Sequence, residues 1–414
     1  MSRTHVVCLS FSPIRRDGRV LRQAAALAAD HRVTVVGFGD AGDAGMDLGG
    51  GARFAPLPIP ANGPAPHRGG TLRLLVLGRV WPSRAYPTWY WRHPHFEAAV
   101  PAVTGLRPDL IVANDWTALP VAFRAAEATG ARVVADLHEF APRQNEQHRF
   151  WRWFVGPAIR WLLERDLPRT AAVITVGEAL AKAYAAEFGV RPSVVHNAPE
   201  AVPLPEPHAT AADRVRVVCH GVAAPERAIE RLIEVVALAE PRFVLDLMLV
   251  PTDRAYMTHL EALAARLAPD RIRFVPAVAP AQIVAALALY DVGLYVLPPS
   301  NFNTMYALPN KLFEFIAAGL AVCIGPSPAM AEIVERTRCG VVADAFTPER
   351  VVDSLNAMSA ADIDRYKANA RLAARSLNAA HEAATMRSVV ATALATPVDA
   401  GGDRVGAAPG LGRR

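Results

Sequence analysis

Residues 291–325 read DVGLYVLPPSNFNTMYALPNKLFEFIAAGLAVCIG, and the rest of the chain is organised around them. Positions 292–296 and 321–324 are short, β-favouring apolar runs, so each end is a strand. Between them Pro309 suits the first turn of a helix, where its missing N–H costs nothing. Leu312, Phe313, Phe315, Ile316 and Ala317 give that helix an apolar face, and Gly319 falls where a left-handed C-cap residue belongs. Lys311 lies in the first turn with Glu314 three residues on, so both project from one face near the positive helix end. A lysine beside unpaired N–H groups is a place for a phosphate. A carboxylate one turn deeper can accept hydrogen bonds from ribose hydroxyls. On spacing alone, a solvated Lys/Glu pair on an ordinary connection is the simpler reading. The loop 297–308, however, is long for a strand-to-helix link, and such loops are mostly functional or disordered.

The bulk numbers are those of a core-forming globular protein. The 414 residues suffice for two or three domains, with 52% hydrophobic and 20% charged residues. A net charge of +5 is too small to argue for nucleic acid, and favours anionic partners such as nucleotide diphosphates or an acidic membrane surface. Cys8, Cys219, Cys323 and Cys339 lack any C-x-x-C spacing, and three fall in expected buried strands. Core packing is their role, with no disulfide framework or zinc site, and a reducing cytoplasm fits. The N-terminus has too short an apolar stretch for a signal peptide, and no apolar run is long enough to span a bilayer. The expectation is a cytoplasmic protein, at most associated with the membrane surface.

The first half alternates strands and helices from the outset. Strands are expected at 6–9, 33–38, 53–59, 109–113, 132–137, 172–176 and 193–196, with helices at 71–80 and 178–188. Val20, Leu21, Ala24, Leu27 and Ala28 mark a further helical face. A βαβ opening means a parallel sheet. The turn after the first strand is no G-x-G-x-x-G loop, which removes the main support for simple NAD binding. Arg15, Arg16 and Arg19 there either face an anionic ligand or form a solvated basic turn. Asn114-Asp115-Trp116 and His138-Glu139 follow buried strands, where open α/β sheets bind ligands. Two stretches, 81–92 and 149–163, mix Trp, aliphatics and Arg at helical spacing, which suits either a membrane interface or an aromatic core.

Four prolines between 199 and 207 mark a semi-rigid linker. A second α/β series follows, with strands at 215–219, 243–250 and 272–275 and helices at 229–238, 256–267 and 282–289, before the opening stretch completes the sheet. Helices are expected at 351–358, 362–377 and 381–394. The expected division is an N-terminal domain over 1–198, a linker over 199–213, a second domain over 214–378, a terminal helix over 379–396, and a disordered tail over 397–414. The fold class is α/β, with two Rossmann-like doubly wound domains facing a central cleft.

Pro309-Asn310-Lys311-Leu312-Phe313-Glu314-Phe315 followed by Ala318-Gly319-Leu320-Ala321-Val322 resembles the donor-site signature of retaining glycosyltransferases of the GT-B fold, family 4-like group. Asp136-Leu137-His138-Glu139, Thr175-Val176-Gly177, His196-Asn197-Ala198-Pro199 and the turn His220–Arg227 resemble further segments of that family. The resemblance implies an enzyme that moves a hexose-type sugar from a nucleotide-diphosphate-sugar to an acceptor hydroxyl, with retention, in bacterial glycan or glycolipid synthesis. It implies no metal and no cofactor beyond the donor, and a terminal helix crossing back onto the N-terminal domain. It places Glu314 on the donor ribose and His138 toward the donor sugar as the catalytic pair. Gly221, Arg227, Asn303, Thr304, Asn310 and Lys311 complete the donor side, and Arg15, Arg16, Arg19, Asp115 and Glu139 the acceptor side. Two departures stand out: Val222 where relatives carry a basic residue, and Tyr306 where they carry a first glutamate. They support one alternative, a catalytically silent nucleotide- or glycan-binding subunit; a third reading is a sugar-nucleotide epimerase of similar fold, which the loop and the Pro309–Glu314 pattern match less well.

Overall fold

The computed structural model describes residues 3–58 and 68–395. Seven strands form the first sheet: β1 (His5–Pro13), β2 (Arg32–Gly39), β3 (Arg53–Pro58), β4 (Leu110–Asn114), β5 (Arg132–Leu137), β6 (Ala172–Thr175) and β7 (Ser193–Val194). Six form the second: β8 (Val215–Ala223), β9 (Phe243–Pro251), β10 (Ile272–Val275), β11 (Val292–Tyr295), β12 (Ala321–Ile324) and β13 (Gly340–Val342). Every pairing between these strands is parallel, in the orders β3-β2-β1-β4-β5-β6-β7 and β10-β9-β8-β11-β12-β13. Helices cover both faces, which is why β4, β11 and β12 are buried at every position and read as unbroken apolar runs. Each sheet reverses its winding beside its first strand, between β1 and β4 and between β8 and β11. Crevices outside the carboxyl ends of strands at such reversals are where open α/β sheets hold ligands.

The helix Ala379–Ala395 returns to the first sheet, burying Met386, Val390 and Ala393 with Val6, Cys8 and Val20. Glu382 fixes its start by accepting from the His196 backbone N–H at 2.7 Å. The tail 397–414, expected to be disordered, and Ile59 of the third expected strand lie outside the described residues. All four cysteines are buried and free.

Some local expectations shift. The helix expected over 71–80 is Arg68–Leu77. It stops before Gly78, where the Tyr86 ring occupies the space a side chain would need. The aromatic stretch 81–92, read at helical spacing, holds the helix Pro82–Tyr90, and a helix the sequence reading did not expect, Pro94–Gly105, follows it. Each opens with a proline and carries another inside, Pro87 and Pro101, and in the second this breaks the sequence pattern. Pro309 takes the N-cap, with extended backbone, and the helix begins at Asn310. Gly319 ends that helix at φ +73°, the left-handed cap.

The loop after β11 binds the two domains to each other. Its Phe302 packs on Phe140 of the first domain at 5.2 Å, and the Arg143 guanidinium lies 4.6 Å over its ring. The Phe140 N–H donates to Asn303 Oδ1 at 2.8 Å, and the Phe302 N–H to Glu146 Oε1 at 2.7 Å. Asn301 Nδ2 donates to the Gln144 carbonyl at 3.1 Å. Leu308, at the far end of the loop, sits where a side chain at Gly177 would fall.

The helix Asn310–Ala318 owes its seat to a missing side chain. Gly293 in β11 lies under the Phe315 ring, and a methyl group there would overlap the ring carbons. Overpacking a dense core costs about 1–3 kcal/mol. Gly293→Ala should therefore lower the midpoint of chemical denaturation by an amount in that range. A midpoint equal to that of the unaltered protein would mean the ring is not confined as described.

Candidate active site

A cleft of about 770 Å³ opens between the domains, with His138, Glu139 and Asn197 on one wall and His220, Gly221, Arg227, Lys311 and Glu314 on the other. The second wall is built by β8 and the helix Asn310–Ala318. Near its end β8 carries Gly221, which takes φ +116° while still paired with Leu249 of β9. A Cβ there would come within 2.7 Å of Lys311 Nζ, so position 221 needs glycine both for its backbone and for the lysine beside it. Lys311 points inward from the first helical turn, with Nζ 5.1 Å from the centre of the Tyr295 ring. Burial, reinforced by Arg227, lowers the affinity of Lys311 for its proton, with partial opposition from Glu314. The wall thus carries a half-desolvated cation, a second exposed cation and unpaired helix N–H groups. That arrangement is stabilised by an incoming anion.

Glu314 lies one turn deeper, mostly buried, and burial raises its pKa against the pull of Lys311 and Arg22. His220 Nε2 lies 3.3 Å from Glu314 Oε2 but is not aligned for a hydrogen bond. Burial and the nearby Lys311 push the His220 pKa down to about 3, so this imidazole is neutral. The carboxylate therefore keeps acceptor capacity directed at the cleft.

The opposite wall is held by a buried ionic network. His138 follows β5 and stands between two carboxylates, with Nδ1 3.3 Å from Asp115 Oδ2 and Nε2 3.4 Å from Asp136 Oδ2. These are ion-pair distances, and Nε2, turned inward from solvent, has no aligned hydrogen-bond partner. Asp115 reaches His138 because its backbone adopts φ +63°, which aspartate tolerates better than most residues. Its Oδ1 accepts from the His138 N–H at 3.0 Å. Asp136 is fully buried and accepts from Arg19 Nη2 at 2.6 Å, Arg19 Nε at 2.9 Å and Gln23 Nε2 at 2.8 Å. Burial alone would lower the His138 pKa, but Asp115 and Asp136 outweigh it and push the value up to about 10. The ring is an imidazolium at neutral pH.

The residues singled out in the sequence fall into three groups. His138, Glu139, Gly221, Arg227, Asn303, Thr304, Asn310, Lys311 and Glu314 all line the cleft. Of these, Asn303 and Thr304 are engaged by protein: Asn303 bridges to Phe140, and Thr304 forms a reciprocal capping box with Asn301. Arg16 lines a shallower recess of about 310 Å³ alongside, with Arg22, Asn197 and Asn310. Arg15 is exposed beside Asp43 at 3.5 Å and lines neither space. Arg19 is neither a solvated turn residue nor a free anion ligand, because its guanidinium is consumed by Asp136 and the Val195 carbonyl. Asp115 acts through His138. Sequence reading missed Arg22 and His220 as site residues. His220 immediately precedes Gly221 at the end of β8, so the strand-end rule was the available signal. Arg22 is brought to Glu314 only by the approach of the two domains.

Comparison with known proteins gives two matching family models. Glycosyltransferase Family 4 matches residues 19–202, and Glycosyl transferases group 1 matches residues 214–360. No curated protein sequence matches the chain. Among solved structures, Anabaena Alr3699/HepE in complex with UDP and glucose superposes with a TM-score of 0.67 at 16% identity, covering 94% of this chain and 100% of that one. Sucrose-phosphate synthase from Thermosynechococcus elongatus gives 0.66 at 15% identity, over 94% and 98% of the two chains. An E. coli trehalose-6-phosphate structure bound with UDP-2-fluoro glucose gives 0.63 at 13%, over 95% and 100%.

The state of His138 sets a pH dependence. Its folded pKa of about 10 lies above the ordinary 6.5, so between those values the folded protein binds more protons than the unfolded one. The stabilisation is complete below pH 6.5 and disappears as pH rises through about 10. Melting temperature should fall more steeply over that window in the unaltered protein than in His138→Gln. Parallel profiles for the two would show that His138 is not held as an imidazolium.

Proposed function

Because the chain belongs to the family 4-type glycosyltransferases of the GT-B fold, we propose that it transfers a hexose from a nucleotide-diphosphate-sugar to an acceptor hydroxyl, with retention, in bacterial glycan or glycolipid synthesis. One observation carries this reading: Gly221, Arg227, Lys311 and the N-terminus of the helix Asn310–Ala318 converge on one wall, with the Glu314 carboxylate one turn deeper. A diphosphate against the cations places a ribose at Glu314. Structures of similar fold hold UDP or a UDP-sugar, so UDP is the first nucleotide to test.

In such a transfer the bond between the anomeric carbon and the diphosphate oxygen breaks, the acceptor oxygen bonds to that carbon, and the acceptor's hydroxyl proton passes to the departing diphosphate. Negative charge grows on the departing diphosphate. Cations and helix N–H groups already in place stabilise it without reorganisation, which is where such sites gain most of their rate. Lys311, whose proton is loosened by burial, regains a full counter-charge as the diphosphate develops. His138, on the N-terminal wall, serves the sugar side as a fixed imidazolium. The acceptor enters from that domain, past Glu139 and the recess at Arg16. With two protein cations assigned to the diphosphate, the reaction is proposed to run without a metal.

A second reading is favoured by Tyr306. It occupies the place of the family's first glutamate and packs against Phe302, ring centres 4.7 Å apart, within the interdomain contact. With Val222 exposed at the other departure, the cleft fits a nucleotide-binding subunit without turnover. Release of labelled sugar from a UDP-sugar, even by slow hydrolysis, decides against that reading.

Glu314→Ala should weaken UDP binding by about 1.5–3 kcal/mol, the range for a hydrogen bond to a charged group. Calorimetric titration measures this directly, and an unchanged Kd in a folded variant would remove Glu314 from the ribose. Lys311→Ala should lower kcat/KM sharply, and activity should persist in EDTA. Loss of activity in EDTA, restored by Mg²⁺ or Mn²⁺, would overturn the metal-free assignment.

A further inference from the structure

We propose that the N-terminal domain carries a docking face for an anionic lipid bilayer, formed by the helix Arg68–Leu77, the turn that follows it, and the turn around Trp151–Val155. Twelve large apolar side chains are substantially exposed among the described residues, and six of them are Leu72, Val76, Val80, Trp81, Phe150 and Trp153. The other six are spread along the second domain. Scattered exposed apolar residues are ordinary, whereas a cluster marks an interaction surface. The segment Trp151–Val155 packs against the helix Arg68–Leu77, and the helix Pro82–Tyr90 packs against Gly156–Asp166.

The scaffold beneath is fixed. Trp151 Nε1 donates to the Pro142 carbonyl at 3.1 Å, and the Tyr86 and Trp161 rings lie 6.1 Å apart. Trp89 is buried and stacked on Trp116 at 6.2 Å, so the face is narrower than the two aromatic stretches in the sequence. What reaches solvent is the tip of each, with Trp81 62% and Trp153 60% exposed.

Charge selects the partner. No carboxylate occurs from Arg68 to Phe96 or from Gln147 to Leu163. Arg73, Arg79, Arg84, Arg149 and Arg152 are exposed and form no ion pair among the described residues. A second copy of this chain would bring those uncompensated arginines against each other. A sheet of anionic headgroups neutralises them, while Trp and the arginine stems enter the interfacial zone. No helix among the described residues is long and apolar enough to cross a membrane, so contact is peripheral. The face begins immediately after the segment 139–147, which lines the cleft and holds Phe302. Docking there brings the cleft mouth to the lipid surface, which suits a lipid-linked acceptor.

The test is flotation of the full chain with phosphatidylcholine vesicles, with and without phosphatidylglycerol, at low and high salt. Binding that requires phosphatidylglycerol, weakens with salt and is lost in Trp81→Ser/Trp153→Ser supports the proposal. Arg149→Gln and Arg152→Gln should each lower vesicle partitioning by roughly fivefold, as expected for one basic residue at an anionic surface. Melting temperatures and UDP affinity of these variants should stay unchanged, which separates failure here from failure of the donor-site reading. Absence of flotation at low salt overturns it. So does concentration-dependent dimerisation abolished by the tryptophan substitutions, which would identify the face as a contact between copies.

Discussion

The buried ion pair between Arg19 and Asp136 is the constraint on which the N-terminal wall depends. Asp136 lies one residue from the end of β5 without solvent contact, where an unpaired carboxylate would be costly. Arg19 answers it with two hydrogen bonds from the helix Gly18–Ala28 and a third to the Val195 carbonyl at 2.8 Å. Gln23 adds another from the same helix and is itself bridged to Asn114 at 3.0 Å. One guanidinium thus ties together the first helix, β5 and the chain leaving β7. Breaking such a pair from one side costs about 3–5 kcal/mol, because the surviving charge stays buried. Its excess negative field, together with Asp115, is also what keeps His138 protonated.

The two walls use charge in opposite ways. Around His138 on the N-terminal side each charge has a counter-charge and the pKa shifts favour the ionised forms, Asp136 and Asp115 lowered and His138 raised, whereas burial raises Glu139 beside them. On the other side burial works against ionisation, with Lys311 lowered and Glu314 raised. The first wall is therefore largely neutralised from within, and the second keeps uncompensated charge facing the cleft.

The long loop after β11 lines the cleft and also joins the two domains. Its central helix Phe302–Met305 is capped by Asn301 and Thr304, and its Phe302 ring extends an aromatic row that runs through Phe140 and Tyr184 to Phe188. Tyr306 continues that row on the other side. Asn303 holds the domains together through Phe140, Thr304 caps the loop's own helix, and the departure at position 306 has a packing role.

The sequence determined the two parallel sheets, the helix that begins at Asn310 and the pairing of Lys311 with Glu314 on one face of it. These are local matters, set by apolar runs, proline and glycine punctuation and the helical period. It also brought His138 and Gly221 to strand ends, since strand boundaries follow from the same patterns. What it could not settle was the destination of side chains whose partners lie far along the chain. Arg19 reads like Arg15 and Arg16 until Asp136, more than a hundred residues away, is folded against it. Arg22 comes within the field of Glu314, and Asn303 meets Phe140, only once the domains approach. Of the tryptophans in one aromatic stretch, Trp89 goes to the core and Trp81 to the surface. Composition is equal for both; helix packing alone decides which is left facing solvent.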